Sequence, residues 1–168
     1  MEAKLPFEDV VIDHGITVLR VCRAVVGPVD ADDAWSEAFL SAMRAYPNLP
    51  SDANVQAWLV TIAHRKAIDI LRRSQRGAVP VENVPETVST MGVPDIGDTH
   101  VWQQLRRLPD KQRQAIAYHH VAGLSYDDVA EILGGTAAAA RRAASDGIRS
   151  LRNRLSTLAT GELHEHHR

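Results

Sequence analysis

Apolar side chains in the first stretch of the chain recur at three- and four-residue steps, through Phe7, Val11, His14, Val18, Val21, Cys22 and Val25. That spacing places them on one face of an amphipathic helix, which Gly27-Pro28 would end. A second stripe, Ala34, Trp35, Ala38, Phe39, Ala42 and Met43, predicts a helix with Asp30 as its cap and Asp33 in its first turn. Pro47 and Pro50 mark a loop over 46–54, after which Ser51 or Asp52 would start a long third helix running to about Arg73. One face of that helix carries Val55, Trp58, Leu59, Ile62, Ala63, Ala67, Ile70 and Leu71. The other carries His64, Arg65, Lys66, Asp69, Arg72 and Arg73.

The period disappears between Gly77 and His100, where Pro80, Pro85, Pro94, Gly92 and Gly97 fall. So long a stretch without pattern does not suit the interior of one compact domain, and it reads as a flexible linker. Helical spacing resumes over Val101–Arg107 and from Pro109-Asp110 to Val121, and Gly123 then breaks it. Ser125 caps a short helix to Leu133, with Asp128 completing a near capping box. Gly134-Gly135 turns the chain, and Thr136 caps an Ala- and Arg-rich helix to about Leu155. The expected architecture is all-α: two small helical domains, over 5–76 and 101–158, joined by a flexible linker over 77–100, with a disordered tail over 159–168.

Charge sharpens this division. The net charge of the 168-residue chain is only −2, but its signs are segregated. Between Glu8 and Glu37 acids outnumber bases. Between Ala57 and Arg76 the bases Arg65, Lys66, Arg72, Arg73 and Arg76 face only Asp69, and Arg dominates again from Val101 to Leu155. Segregated surfaces of this kind suit one basic partner and one polyanionic partner. No apolar run reaches the about 20 residues that span a bilayer, and 1–9 lack the apolar core of a signal peptide. The single Cys22 rules out an internal disulfide. A cytoplasmic protein with no membrane insertion is expected.

The helices over 125–133 and 136–155, with a glycine turn between them, form a helix-turn-helix pattern, which sets the start of its second helix into the major groove of DNA. An ordinary helical hairpin with a solvated Arg face fits the same pattern. In the third helix Trp58, with Tyr46 nearby, lies beside a basic cluster, which suits unstacked bases. Trp58 also falls on the apolar stripe, where core packing is the commoner role. The carboxylates around Asp30 suit a helix start on electrostatic grounds alone, or a basic docking partner. The chain has no Gly-rich phosphate loop, Cys cluster or His-Glu-x-x-His motif. No enzyme, metal site or cofactor is expected.

The pieces, taken in order, resemble a known family. Asp30-Ala-Asp-Asp-Ala-Trp-Ser-Glu-Ala-Phe39 and Ala57-Trp-Leu-Val-Thr-Ile-Ala-His-Arg-Lys-Ala-Ile-Asp-Ile-Leu-Arg-Arg73 resemble region 2 of the extracytoplasmic-function sigma factors of bacterial RNA polymerase. Leu105-Arg-Arg-Leu-Pro-Asp-Lys-Gln-Arg113 and Gly123-Leu-Ser-Tyr-Asp-Asp-Val-Ala-Glu-Ile-Leu-Gly134 resemble region 4. The resemblance implies a factor that binds core RNA polymerase and promoter DNA, and that an anti-sigma factor holds inactive. By position, Asp30, Asp32, Asp33 and Glu37 would dock on the polymerase. Tyr46, Asn54, Trp58, His64, Arg65, Arg72 and Arg73 would melt and read the minus-ten element. Ser125, Tyr126, Thr136, Arg141, Arg142, Ser145 and Arg149 would meet the minus-thirty-five element.

The chain departs from the family in three places, one being Asp146, which stands where the family usually has a basic residue. His64-Arg65 replaces the usual Arg-Asn, and Ala138-Ala-Ala-Arg-Arg-Ala143 replaces Gly-Thr-Val-Lys-Ser-Arg. Ala cannot hydrogen-bond a base edge, so base readout falls to Arg141 and Arg142, with Thr136 or Ser145. The alternatives are a sigma-like decoy that sequesters an anti-sigma factor and a helix-turn-helix regulator without polymerase contact.

Overall fold

A computed structural model of the chain describes residues 3–76 and 99–165, and every regular element among them is helical. In order these are α1 (Phe7–Val26), α2 (Ala31–Ala45), a 3-10 turn (Tyr46–Asn48), α3 (Val55–Arg76), α4 (Thr99–Arg106), α5 (Asp110–Ile116), a π segment continuing it (Ala117–Val121), α6 (Tyr126–Leu133) and α7 (Ala137–Glu165). The expected linker lies outside the described residues over 77–98.

Helices α1, α2 and α3 pack against one another around Val18, Val21, Cys22, Ala34, Ala38, Leu59, Val60 and Ala63. Burial pushes the Cys22 thiol up to about 12, so it is an unreactive core group. The alanines of α2 let it approach its neighbours closely, and Trp35 donates its indole N–H to the Gly15 carbonyl at 2.9 Å. Helix α1 ends at Gly27, whose backbone (φ 85°, ψ 174°) lies in a region open essentially to glycine alone.

Two caps differ from expectation. Asp30 precedes α2, but its own backbone is already helical (φ −97°, ψ −6°) and its side chain makes no cap bond. Helix α3 starts later than Ser51 or Asp52. Asn54 Oδ1 accepts from the Ala57 N–H at 3.1 Å, and the preceding residues form a turn.

The second group, α4 to α7, buries Leu105, Leu108, Ala115, Ile116, Leu124, Val129, Ala140 and Ala144. Helices α5 and α7 cross closely at Gly147, where a Cβ would lie 2.6 Å from Ile116 Cδ1. Arg113, 7% exposed, fastens the α4–α5 turn. Its guanidinium donates to the Arg106 and Leu108 carbonyls at 3.2 Å and to Asp110 Oδ1 at 2.8 Å.

Two observations add to the expected two-domain, all-α architecture. Helix α7 continues through most of the expected disordered tail, to Glu165; only 166–168 fall outside the described residues. No proline interrupts it, and Thr157 and Thr160 bond back to the Asn153 and Ser156 carbonyls at 2.9 Å. The two helical groups also pack together. Helix α1 touches α4, α5 and the π segment, and α3 touches α6. Tyr118 is the largest fully buried side chain among the described residues. Gln56 of α3 donates across the junction to the Ala122 carbonyl. Tyr118 and Ala122 sit in a run whose apolar spacing fits a helix within either group, so the sequence pattern does not assign them to a junction.

Candidate nucleic-acid interface

Helices α6 and α7 form the expected helix-turn-helix. Ser125 Oγ accepts from the Asp128 N–H at 3.1 Å, fixing the start of α6. Gly134 (φ 79°) and Gly135 (φ 101°) make the turn. Thr136 Oγ1 then accepts from the Ala139 N–H at 3.1 Å and starts α7. The cap bond uses one lone pair of that hydroxyl, which leaves Thr136 its O–H proton and a second lone pair for a base. Ala140, Ala144 and Gly147 face inward, so Arg141, Arg142, Ser145, Arg149 and Arg152 face outward along the opposite side. Arg149 comes within 3.9 Å of Asp146, but both are solvated, and a long exposed pair of this kind contributes little.

Beside this ridge lie residues that periodicity did not single out. The His119 ring stacks on Tyr126, with centroids 3.8 Å apart and 14° between planes. The Arg141 guanidinium carbon lies over the same Tyr126 ring at 5.2 Å. Neighbouring His120 helps line a cleft with Tyr126, Ser145, Arg149 and Arg152. Partial burial, then the adjacent His119, holds the His120 imidazole below its ordinary range. The only sequence signal for these histidines is their position just ahead of the turn that precedes α6. Their neighbourhood with α7 is tertiary.

The residues assigned to minus-ten recognition divide. Arg65, Arg72 and Arg73 are exposed on α3, and Asn54 is exposed while capping it. Tyr46 is different: it is 9% exposed, donates its hydroxyl to the Leu5 carbonyl at 2.5 Å, and has the Lys4 ammonium 4.4 Å above its ring. Trp58 is half-buried, 6.2 Å from Tyr46 between ring centroids. In this arrangement Tyr46 offers no free face to a base. Its ring instead joins an aromatic chain through Phe7 and Phe39 to Trp35. His64 is half-buried at the junction between the two helical groups, with Nδ1 2.5 Å from the Tyr118 hydroxyl.

The acidic set lies on α2 and the residue before it. Asp30, Asp33 and Glu37 line a shallow groove with Arg73 and Ser74 of α3, whereas Asp32 is not part of that lining. Glu37 and Arg73 approach to 3.8 Å, both solvated, so the carboxylates keep most of their charge available to a partner. Among the described residues no group of His, Cys, Asp or Glu is arranged to hold a metal ion, and no helix is long and apolar enough to cross a membrane.

Comparison with known proteins gives a consistent answer. A family model described as Sigma-70 region 2 matches residues 10–77, and one described as Sigma-70, region 4 matches residues 100–151. The chain is 30% identical over 146 residues to an ECF RNA polymerase sigma factor SigK of Mycobacterium sp. (strain JLS), covering 79% of this chain and 74% of that protein. It is 29% identical over 132 residues to SigK of Mycobacterium tuberculosis (strain ATCC 25618 / H37Rv), covering 73% of this chain and 71% of the relative. The fold resembles that of the sigma factor RpoE, solved with the anti-sigma factor NepR from Bartonella quintana. The TM-score is 0.70 at 23% identity, covering 89% of this chain and 98% of that one. It also resembles CnrH, solved with the cytosolic domain of CnrY, with a TM-score of 0.64 at 20% identity, covering 90% and 88%.

Proposed function

The chain belongs to the extracytoplasmic-function sigma factors, and from that premise we propose that it binds core RNA polymerase and directs transcription initiation at specific promoters. The observation that carries this is the order of the two matched regions along one helical frame. Region 2 carries an acidic groove and a basic helix, and region 4 a helix-turn-helix with an outward Arg ridge. Catalysis belongs to the polymerase, so this chain acts as a cytoplasmic DNA-binding subunit and not as an enzyme.

Asp33 and Glu37, with Asp30 beside them and Asp32 nearby, dock on a basic polymerase surface. Arg65, Arg72 and Arg73 contact the melted minus-ten strand, with Asn54 at the edge of that surface. Arg141 and Arg142, at the start of α7, approach the minus-thirty-five element, whereas Arg149 and Arg152 meet phosphates further along. His64 reaches DNA only if the junction between the helical groups opens, and Tyr46 and Trp58 only if their packing within the first group loosens. A partner of the anti-sigma class, such as those solved with RpoE and CnrH, is part of the proposal.

One observation favours a second reading. Ala138 and Ala139 expose no hydrogen-bonding group at the start of α7, which suits a decoy that occupies an anti-sigma factor. Co-purification with core polymerase separates the two readings. A sigma factor forms a stoichiometric complex with core, and the proposal fails if the chain shows no affinity for it.

A further inference from the structure

Two arginines stand side by side at the start of α7, and their surroundings differ. Arg142 is exposed and has no polar or ring partner among the described residues. Arg141 lies over Tyr126, 5.2 Å from its ring centroid, within the range of a cation–π contact. Tyr126 is in turn stacked by His119 at 3.8 Å. His119 is itself fixed, because its Nδ1 is 2.7 Å from the Leu124 carbonyl. A carbonyl only accepts, so Nδ1 carries the proton and the ring is held in one orientation. The Leu124 N–H donates back to the Tyr118 carbonyl at 3.0 Å, closing the turn at Gly123 around the imidazole. A rigid turn thus holds a histidine, the histidine holds a tyrosine, and the tyrosine restrains one of the two arginines.

We propose that His119 is a positioning residue for DNA recognition: through Tyr126 it pre-orders Arg141, which makes Arg141 and not Arg142 the side chain that reads a base edge. This rests on the reading of α7 as a DNA-recognition helix. The reason is entropic. A bidentate contact to a base needs the guanidinium in one plane, and a free Arg loses rotamer freedom in making it. An Arg already held on a ring loses less, and it spends that advantage only where the geometry matches. A phosphate accepts a guanidinium from many directions, so the untethered Arg142 suits the backbone.

The test uses the full chain and reads two quantities. Nitrogen-15 relaxation at the arginine Nε positions, without DNA, measures side-chain order. Equilibrium binding to the duplex most enriched by wild type from a randomised library, against a scrambled copy, measures selectivity. In wild type, Arg141 should be more ordered than Arg142. His119→Ala should bring Arg141 down to the mobility of Arg142. It should also cut the enriched-to-scrambled ratio by about three- to tenfold, while leaving affinity for scrambled DNA unchanged. His119→Phe, which keeps a stacking ring, should restore most of both, and circular dichroism should show all variants equally helical. The proposal is overturned if His119→Ala leaves Arg141 order unchanged, or if order falls while selectivity holds. If wild type enriches no sequence at all, the DNA-reading assignment of α7 itself fails, and the relaxation data separately report whether the stack orders Arg141.

Discussion

The Tyr118 hydroxyl and Nδ1 of His64 share a hydrogen bond of 2.5 Å, and this bond spans the junction between the region 4 and region 2 helices. Tyr118 is fully buried, and burial raises its phenol far above the ordinary range, so it stays protonated. The two rings meet edge-on, 5.4 Å apart and 85° between planes.

The junction should loosen in acid. Burial, then the charge of Arg65, holds His64 below its ordinary pKa. Arg113 and the protonated Cys22 thiol are the ionisable groups beside Tyr118. A His64 freed by opening or unfolding takes up a proton near its ordinary pKa of about 6.5, while the packed one resists, so the loosened state binds more protons. This contribution to stability is therefore flat above about pH 6.5 and is lost as pH falls below it. Urea midpoints across that range should decline toward acid, and His64→Leu should flatten the decline. An equal decline in the variant would show that other groups are responsible.

Reversing the acidic groove should weaken assembly without unfolding the chain. Asp33→Lys with Glu37→Lys should reduce affinity for core polymerase by about tenfold or more, since like charges placed across an interface are costly. Losing the exposed Glu37–Arg73 pair should change stability by no more than about 1 kcal/mol. Fluorescence titration of core measures the first and thermal melting the second. Unchanged core affinity would remove these residues from the docking surface.

The Arg ridge of α7 should separate specificity from affinity. Arg149→Ala should weaken binding to all duplexes alike and reduce the salt slope by about 1. Arg141→Ala should instead lower selectivity by about 1–3 kcal/mol, the value of a bidentate guanine contact. Salt-dependent anisotropy on matched and scrambled duplexes distinguishes them, and identical behaviour of the two variants would contradict the division of roles.

Gly27→Ala should destabilise the chain by about 1–3 kcal/mol, because a Cβ is strained at φ 85° and ψ 174°. The Arg106 guanidinium also lies 2.8 Å from where that Cβ would stand. Arg106→Ala should not rescue the variant, since the backbone strain persists without it. Recovery of the urea midpoint in the double variant would mean that the side-chain clash is the main cost.

Local chemistry explains what could be read without coordinates. The stripes of α1, α2 and α3, the Ser125 and Thr136 caps and the turn at Gly134-Gly135 are each set within a few residues, so the helix-turn-helix was legible. The cap of α3 was not, because Ser51, Asp52 and Asn54 all suit that role and only Asn54 reaches the Ala57 N–H. The burial of Tyr46 and the stack of His119 on Tyr126 depend on residues brought together by tertiary packing. The junction through Tyr118 was hidden for the same reason, since buried contacts between two helical groups leave the same apolar spacing as contacts within one.

The central claim is that this chain confers promoter choice on RNA polymerase, and run-off transcription tests it most directly. Core polymerase would be incubated with fragmented genomic DNA, with and without the full chain, and transcript starts mapped. The account predicts a small set of discrete start sites that appear only with the chain and share paired upstream elements. A start-site pattern identical to that of core polymerase alone, despite a saturating amount of folded chain, would contradict it.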